Sequence, residues 1–294
     1  MLTVLAPGPL ATVQDRGRPG WAAIGVPTSG AADGASHDLA NRLVGNDPAA
    51  ATVEVTAGGL RVRADRTLLV AVTGAPVPVT VDGRAAPFAA PFSLSPGAVL
   101  SLGLPPVGLR SYLAVRGGVA VPPVLGSRST DTLSGLGPPP LAAGAVLAVG
   151  TLAGDEPFVD VAPVRPPSSR PVLEVLPGPR RNWFAAEAWT ALTSAEWTVT
   201  PDSDRVGLRL AGPSLVRTRT AELPSEGLVA GAVQVPPDGA PILFLADHPV
   251  TGGYPVLAVV RTIDLPAAAQ LRPGDVVRFS PSRGPGAPPA RRGR

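Results

Sequence analysis

The sequence has no cysteine and no lysine, and only two histidines and two tyrosines. Without cysteine there is no thiolate nucleophile, zinc knuckle or disulfide. Without lysine there is no P-loop lysine, no Schiff base and no residue to which biotin could be attached. His37 and His248 lie far apart in the chain, so no all-protein zinc site is expected. No apolar run approaches the ~20 residues of a membrane-spanning helix. The opening stretch Met1 to Gly8 lacks the basic region and long apolar core of a signal peptide, so a cytoplasmic setting is expected. Net charge is only +3, the same excess that Arg291, Arg292 and Arg294 supply at the C-terminal end. The isoelectric point of about 10.4 reflects the lack of lysine and cysteine and is no sign of a basic stripe, which speaks against a nucleic-acid partner.

Valine, proline (38) and glycine (34) are abundant among the 294 residues, and 45% are hydrophobic. That mixture predicts a mainly β chain of short strands and turns with a few short helices, as one large or two ordinary domains. Val77 to Val81 alternates strictly before Asp82-Gly83, a hairpin signal. Leu39/Leu43 and Ala40/Val44 mark one amphipathic helix, ending near Gly45, with His37 and Asn41 on its opposite, solvated face. A second helix is expected over Trp183 to Leu192, capped by Asn182. Composition divides the chain into a first domain (1–160), a Pro-rich linker (161–171), a second domain (172–280) and a disordered tail (281–294). The halves echo one another: Leu2-Thr-Val-Leu-Ala-Pro-Gly-Pro recurs from Leu173, Tyr112-Leu-Ala-Val-Arg recurs loosely from Tyr254, and Leu141 to Leu147 recurs from Leu271. Together the echoes predict two β-barrels related by internal duplication, with both tyrosines at equivalent points facing a shared groove.

The densest chemistry lies between two apolar runs, where Asp247, His248, Thr251 and Tyr254 surround Gly252-Gly253. Adjacent glycines admit a close backbone or ligand, and the loop is either a reactive site or a hydrogen-bonded turn. Ser127-Arg128-Ser129-Thr130 places three hydroxyls around a guanidinium. It could bind a carboxylate or phosphate, or fix its own loop through side-chain-to-backbone bonds.

Gly8 to Gly20 with Gln14-Asp15-Arg16, Ser29-Gly30 with Asp33, Ala40 to Asn46, Gly126 to Thr130, Ser203-Asp204-Arg205, Gly231 with Gln234-Val-Pro, and Thr251 to Pro255 follow one another in an order that resembles the KipA family, the C subunits of 5-oxoprolinases. This is the carboxyltransferase subdomain 2 also found in urea carboxylases and described near allophanate hydrolases. The resemblance implies two cyclophilin-like barrels, a KipI-like B subunit and a third subunit of the LamB/YcsF type. It implies ATP-dependent opening of 5-oxoproline to glutamate by the complex, with no covalent cofactor on this chain. Alternatives in the same family are carboxyl transfer from biotin carried on another chain, or regulation by binding a KipI-like kinase inhibitor. For the first activity the resemblance points to Asp247, His248 and Tyr254 as catalytic. Ser127, Arg128, Ser129, Thr130, Asp204, Arg205, Gln234, Thr251, Gly252 and Gly253 would then bind substrate. The family usually has Arg-Gln-Thr where this chain has His248-Pro249-Val250.

Overall fold

The structure, a computed structural model, describes residues 1–152, 154, 156–157 and 159–282. The first half builds two antiparallel sheets around one core. The larger orders its strands Val146–Leu147, Leu2–Pro7, Leu60–Ala64, Val99–Leu102, Val79–Val81 and Arg84–Ala85. The smaller orders them Leu10–Gln14, Thr52–Thr56, Arg110–Val115, Leu68–Gly74 and Pro91–Leu94. Leu2, Val4, Val53, Val62, Leu100 and Leu113 fill the space between. The two-residue side-chain period does this sorting: Leu60, Val62 and Ala64 point inward while Arg61 and Arg63 stay outside. At the Asp82-Gly83 hairpin both central residues take positive φ (49° and 78°), as a reversal matched to strand twist requires.

Strand Arg110–Val115 is buried along its whole length. Leu113 and Val115 face the inner core, whereas Tyr112 and Ala114 are covered by helix α1 (Gly34–Leu43). Asp33 caps α1 by accepting the Ser36 amide at 3.0 Å. The face expected to be solvated is not: His37 and Asn41 are both fully buried. His37 stands edge-on to Tyr112 at 6.1 Å, and Asn41 donates to the Ala50 carbonyl at 2.7 Å. The helix lies in a trough between the sheet and the 46–51 loop, which covers the His37/Asn41 side and leaves Ala35 and Arg42 exposed.

The second half closes into a seven-stranded barrel, in the order Val172–Pro177, Val256–Val260, Ala232–Gln234, Ile242–Phe244, Gly207–Ala211, Glu196–Val199 and Val276–Pro281. Trp197, Phe279, Leu173, Val233 and Leu257 pack inside it. Helix α2 (Ala186–Ser194) plugs one end with Ala188 and Leu192. It begins later than the sequence suggests. Asn182 lies in a 3-10 turn, Arg181–Trp183, and Ala185 holds the cap position without a side-chain bond. In each half the first strand pairs with the last, Leu2 with Leu147 and Leu173 with Phe279, but the pairing is antiparallel in one and parallel in the other. The tyrosines are not equivalent either. Tyr112 is buried within its strand, while Tyr254 precedes its strand and is 45% exposed. Two residues of the expected tail are ordered, since Pro281 ends the last strand and the Ser282 amide donates to Val175; residues 283–294 lie outside the described residues.

A polar seam joins the halves. Gln270 accepts the Leu109 and Arg110 amides (2.9 Å each) and donates to Asp33 at 2.7 Å. The Arg272 guanidinium donates to the Pro105 and Pro106 carbonyls, and Arg110 reaches the Ala269 carbonyl.

Candidate functional site

Asp247 follows the Ile242–Phe244 strand and is carried into the seam. It is fully buried, and both of its oxygens are saturated. One accepts Ser29 Oγ (2.6 Å) and Arg205 Nη2 (3.1 Å). The other accepts Arg205 Nε (2.9 Å) and the amide and hydroxyl of Thr132 (3.0 and 2.7 Å). Arg205 also donates to the Gly30 carbonyl at 2.6 Å and pairs with Glu54 of the first half. Glu54 further accepts Tyr112 Oη (2.8 Å) and the Ala32 amide (3.0 Å), with Arg110 Nε at 3.6 Å. Two guanidiniums thus balance two carboxylates in a buried site.

Burial pushes both carboxyls up. At Asp247 the Arg205 charge and the hydrogen bonds from Arg205, Ser29 and Thr132 together outweigh it, and at Glu54 the Arg205 and Arg110 charges do so with the Ala32 and Tyr112 hydrogen bonds, so both titrate below their ordinary values. Burial would lower Arg205, yet its two carboxylates hold it raised. Burial, with Glu54 and Asp33 nearby, pushes Tyr112 well up, which keeps it a neutral phenol able to donate to Glu54. These partners recast two expected roles. Asp247 has no free lone pair for proton transfer, and the anions that Arg205 grips belong to the chain itself.

The Ser127–Thr130 loop tells the same story with another carboxylate. Ser127 Oγ and Ser129 Oγ donate to Asp15 at 2.6 Å each, joined by the Arg128 amide at 2.6 Å and the Gly17 amide at 2.8 Å. Arg128 Nε donates to the Val121 carbonyl at 2.8 Å. Thr130 takes part through its carbonyl, which accepts Gln14 Nε2 at 2.8 Å. The anion expected at these hydroxyls is Asp15.

Asp204 is a turn residue, accepting the Val206 and Gly207 amides at 2.8 and 3.1 Å. Gln234 is buried and donates to the Tyr254 carbonyl at 2.9 Å, so it positions the loop from behind. Gly252 is needed for that contact, since a Cβ there would meet Gln234 Nε2 at 2.6 Å and Leu228 at 2.7 Å. The close approach is therefore by the chain's own side chains. Gly253 has room for a Cβ, with only the Leu223 carbonyl at 3.5 Å.

His248 differs from its neighbours. Its Nδ1 lies 2.8 Å from the Pro249 carbonyl, which can only accept, so Nδ1 carries a proton and Nε2 is the nitrogen that bears the lone pair in the neutral tautomer. No described residue is a hydrogen-bond partner of Nε2. The ring lines a cavity of about 370 Å³ between the halves, walled by Val26, Pro27, Leu228, Val229 and Leu265 and floored at Ser29. Ser29 sits at φ 54°, a left-handed conformation that costs a non-glycine residue about 1–3 kcal/mol. Its bond to Asp247 holds it there. A second cavity of about 440 Å³ adjoins, reached by Leu133, Ser134 and Thr251. Among the described residues no group of three or more acidic or histidine side chains is placed to hold a metal.

Sequence reasoning passed over Glu54, Ser29, Thr132, Arg110 and Gln270. Glu54 had a visible signal, a lone carboxylate centred in the apolar strand Thr-Val-Glu-Val-Thr.

The profile of the carboxyltransferase domain, subdomain A and B, matches residues 24–281. The chain belongs to that family. Within the carboxyltransferase-domain family it is 37% identical to the C subunit of 5-oxoprolinase from Escherichia coli K12, over 95% of this chain and 90% of that protein. It is 33% identical to "Urea amidolyase" of Saccharomyces cerevisiae over 95% of this chain but only 16% of that protein. Among solved structures, TTHA0988 superposes with a TM-score of 0.87 at 39% identity, over 95% of this chain. This chain spans only 55% of TTHA0988.

Proposed function

We propose that this chain is the C subunit of a multi-subunit, cytoplasmic 5-oxoprolinase, and that the seam cavity beside His248 is its small-molecule site. The supporting observation is its 37% identity to the C subunit of a 5-oxoprolinase along nearly the whole of both chains. In this reading the enzyme is completed by a KipI-like B subunit and a third subunit of the LamB/YcsF type. The complex opens the lactam of 5-oxoproline: its C–N bond breaks, water oxygen joins the carbonyl carbon, and L-glutamate leaves while ATP is hydrolysed. His248 Nε2 accepts a proton from the attacking water and returns it to the departing nitrogen. The saturated Glu54–Arg205–Asp247 network holds Ser29 and the loop beneath it.

The cavity does not fit ATP. No arginine lines it and the chain has no lysine, so nothing there answers a triphosphate or the carboxylate of 5-oxoproline. Those charges are met by the other subunits, and no step is routed through ATP here. The test is formation of glutamate from 5-oxoproline by the purified chain, alone and with both partners. Activity is expected only in the mixture, and robust turnover by the single chain would refute the assignment. A second reading, carboxyl transfer from biotin carried on another chain, is favoured by the relationship to urea amidolyase. An uncharged ureido ring suits the same apolar walls, and activity that depends on a biotinylated chain would select it.

A further inference from the structure

We propose that the second half carries a separate binding site for a small organic oxyanion, a carboxylate or a phosphate ester, held by Arg217 with Ser214 and Thr220. These three residues line a cavity of about 290 Å³, with Leu215, Val216 and Pro237 as its apolar wall. The cavity lies between the 214–220 segment and the 236–239 turn, tied together where the Leu215 amide donates to the Gly239 carbonyl at 3.1 Å. The backbone of Arg217 is fixed by its bridge to Phe184. Its Nε is buried without a hydrogen-bond partner. The residue as a whole is half-buried, and neither Nη atom has a hydrogen-bond partner among the described residues, so the outer end of the fork is open to a ligand. Ser214 and Thr220 are exposed, and their hydroxyls have no partner among the described residues.

The one carboxylate in the two walls, Asp238 of the 236–239 turn, is engaged by the Ala240 amide at 3.0 Å. Arg219 lies over Trp183 at 5.9 Å and Arg181 over Trp189 at 4.7 Å. Neither they nor Arg217 pairs with a carboxylate among the described residues. The first half shows what serine hydroxyls do in this chain when an aspartate is at hand: Ser127 and Ser129 close on Asp15. Around Arg217 the same chemistry is present and no carboxylate of the chain fills it. A guanidinium fork flanked by two hydroxyls matches the oxygens of a carboxylate or phosphoryl group, and the apolar wall accepts a short carbon chain.

The experiment is calorimetric titration of the full chain with inorganic phosphate and, separately, with succinate, at ionic strength held constant with chloride. Saturable binding of at least one probe is expected, with a Kd of about 1 mM or tighter. The probe that binds more tightly identifies the class. Arg217→Met should weaken that binding about tenfold or more, while His248→Asn should leave it unchanged. If Arg217→Met fails a thermal-unfolding check, the Ser214→Ala/Thr220→Ala double variant is judged by the same loss. Saturation by neither probe, or undiminished binding in the folded variants, would overturn the site. Loss of binding in His248→Asn would move the anion to the seam and overturn it equally.

Discussion

Asp15 and Asp247 are two buried carboxylates satisfied in opposite ways. Asp15, inside the first half, is held by two serine hydroxyls and two backbone amides and has no cationic partner among the described residues. Asp247, on the seam, is gripped by Arg205, which also holds Glu54 from the other half. Neutral donors suffice to pin a loop onto its own sheet. Joining two halves adds a guanidinium, whose planar fork fixes distance and angle together, to the neutral bonds that Ser29, Thr132 and Gln270 make across the seam. The same division separates support from chemistry: Asp247 is saturated on both oxygens, whereas His248, which lines the seam cavity, keeps Nε2 without a partner among the described residues.

The comparison can be broken most severely at Arg205. Arg205→Met leaves Glu54 and Asp247 buried and stripped of their shared cation, and should cost about 3–5 kcal/mol in denaturant unfolding at neutral pH. The pH dependence sharpens this. In the wild type both carboxyls titrate below their ordinary values. Their contribution is therefore complete above the unfolded carboxyl value of about 4 and is lost as pH falls through the depressed folded values. In Arg205→Met, Glu54 keeps Arg110 but Asp247 has no other cation, so burial raises Asp247 and stability should instead increase as pH falls from about 7 towards 5.

Asp15→Asn should cost less, about 1.5–3 kcal/mol, because charge-assisted bonds weaken while no charge is stranded. The tyrosines extend the contrast to its smallest effects. Tyr112→Phe removes a phenol that donates to Glu54 and accepts the Asp33 amide at 2.8 Å, and should cost about 1–3 kcal/mol. Tyr254→Phe, at an exposed side chain, should stay within about 0.5 kcal/mol. Equal losses at the two tyrosines would revive their equivalence.

Strands and turns were legible because their signals are local: alternation in Leu60–Ala64 and Asp82-Gly83 at the hairpin. The 247–254 loop was legible as a concentration of rare residues. Who satisfies whom was not. Arg205 meets Glu54 across 151 residues and Asp15 meets Ser127 across 112, and no sequence period records such pairings. Hydroxyls around an arginine read equally well as a ligand site or as a cradle for the chain's own carboxylate. His37 misled for a related reason, since the second wall of its trough comes from the 46–51 loop.

The most direct test of the account is the turnover of His248→Asn in the reconstituted complex, read beside its unfolding midpoint. Loss of the free Nε2 should lower kcat about 100-fold or more, with stability changed by less than about 1 kcal/mol. A folded, fully assembled His248→Asn complex that makes glutamate from 5-oxoproline at the wild-type rate would contradict it.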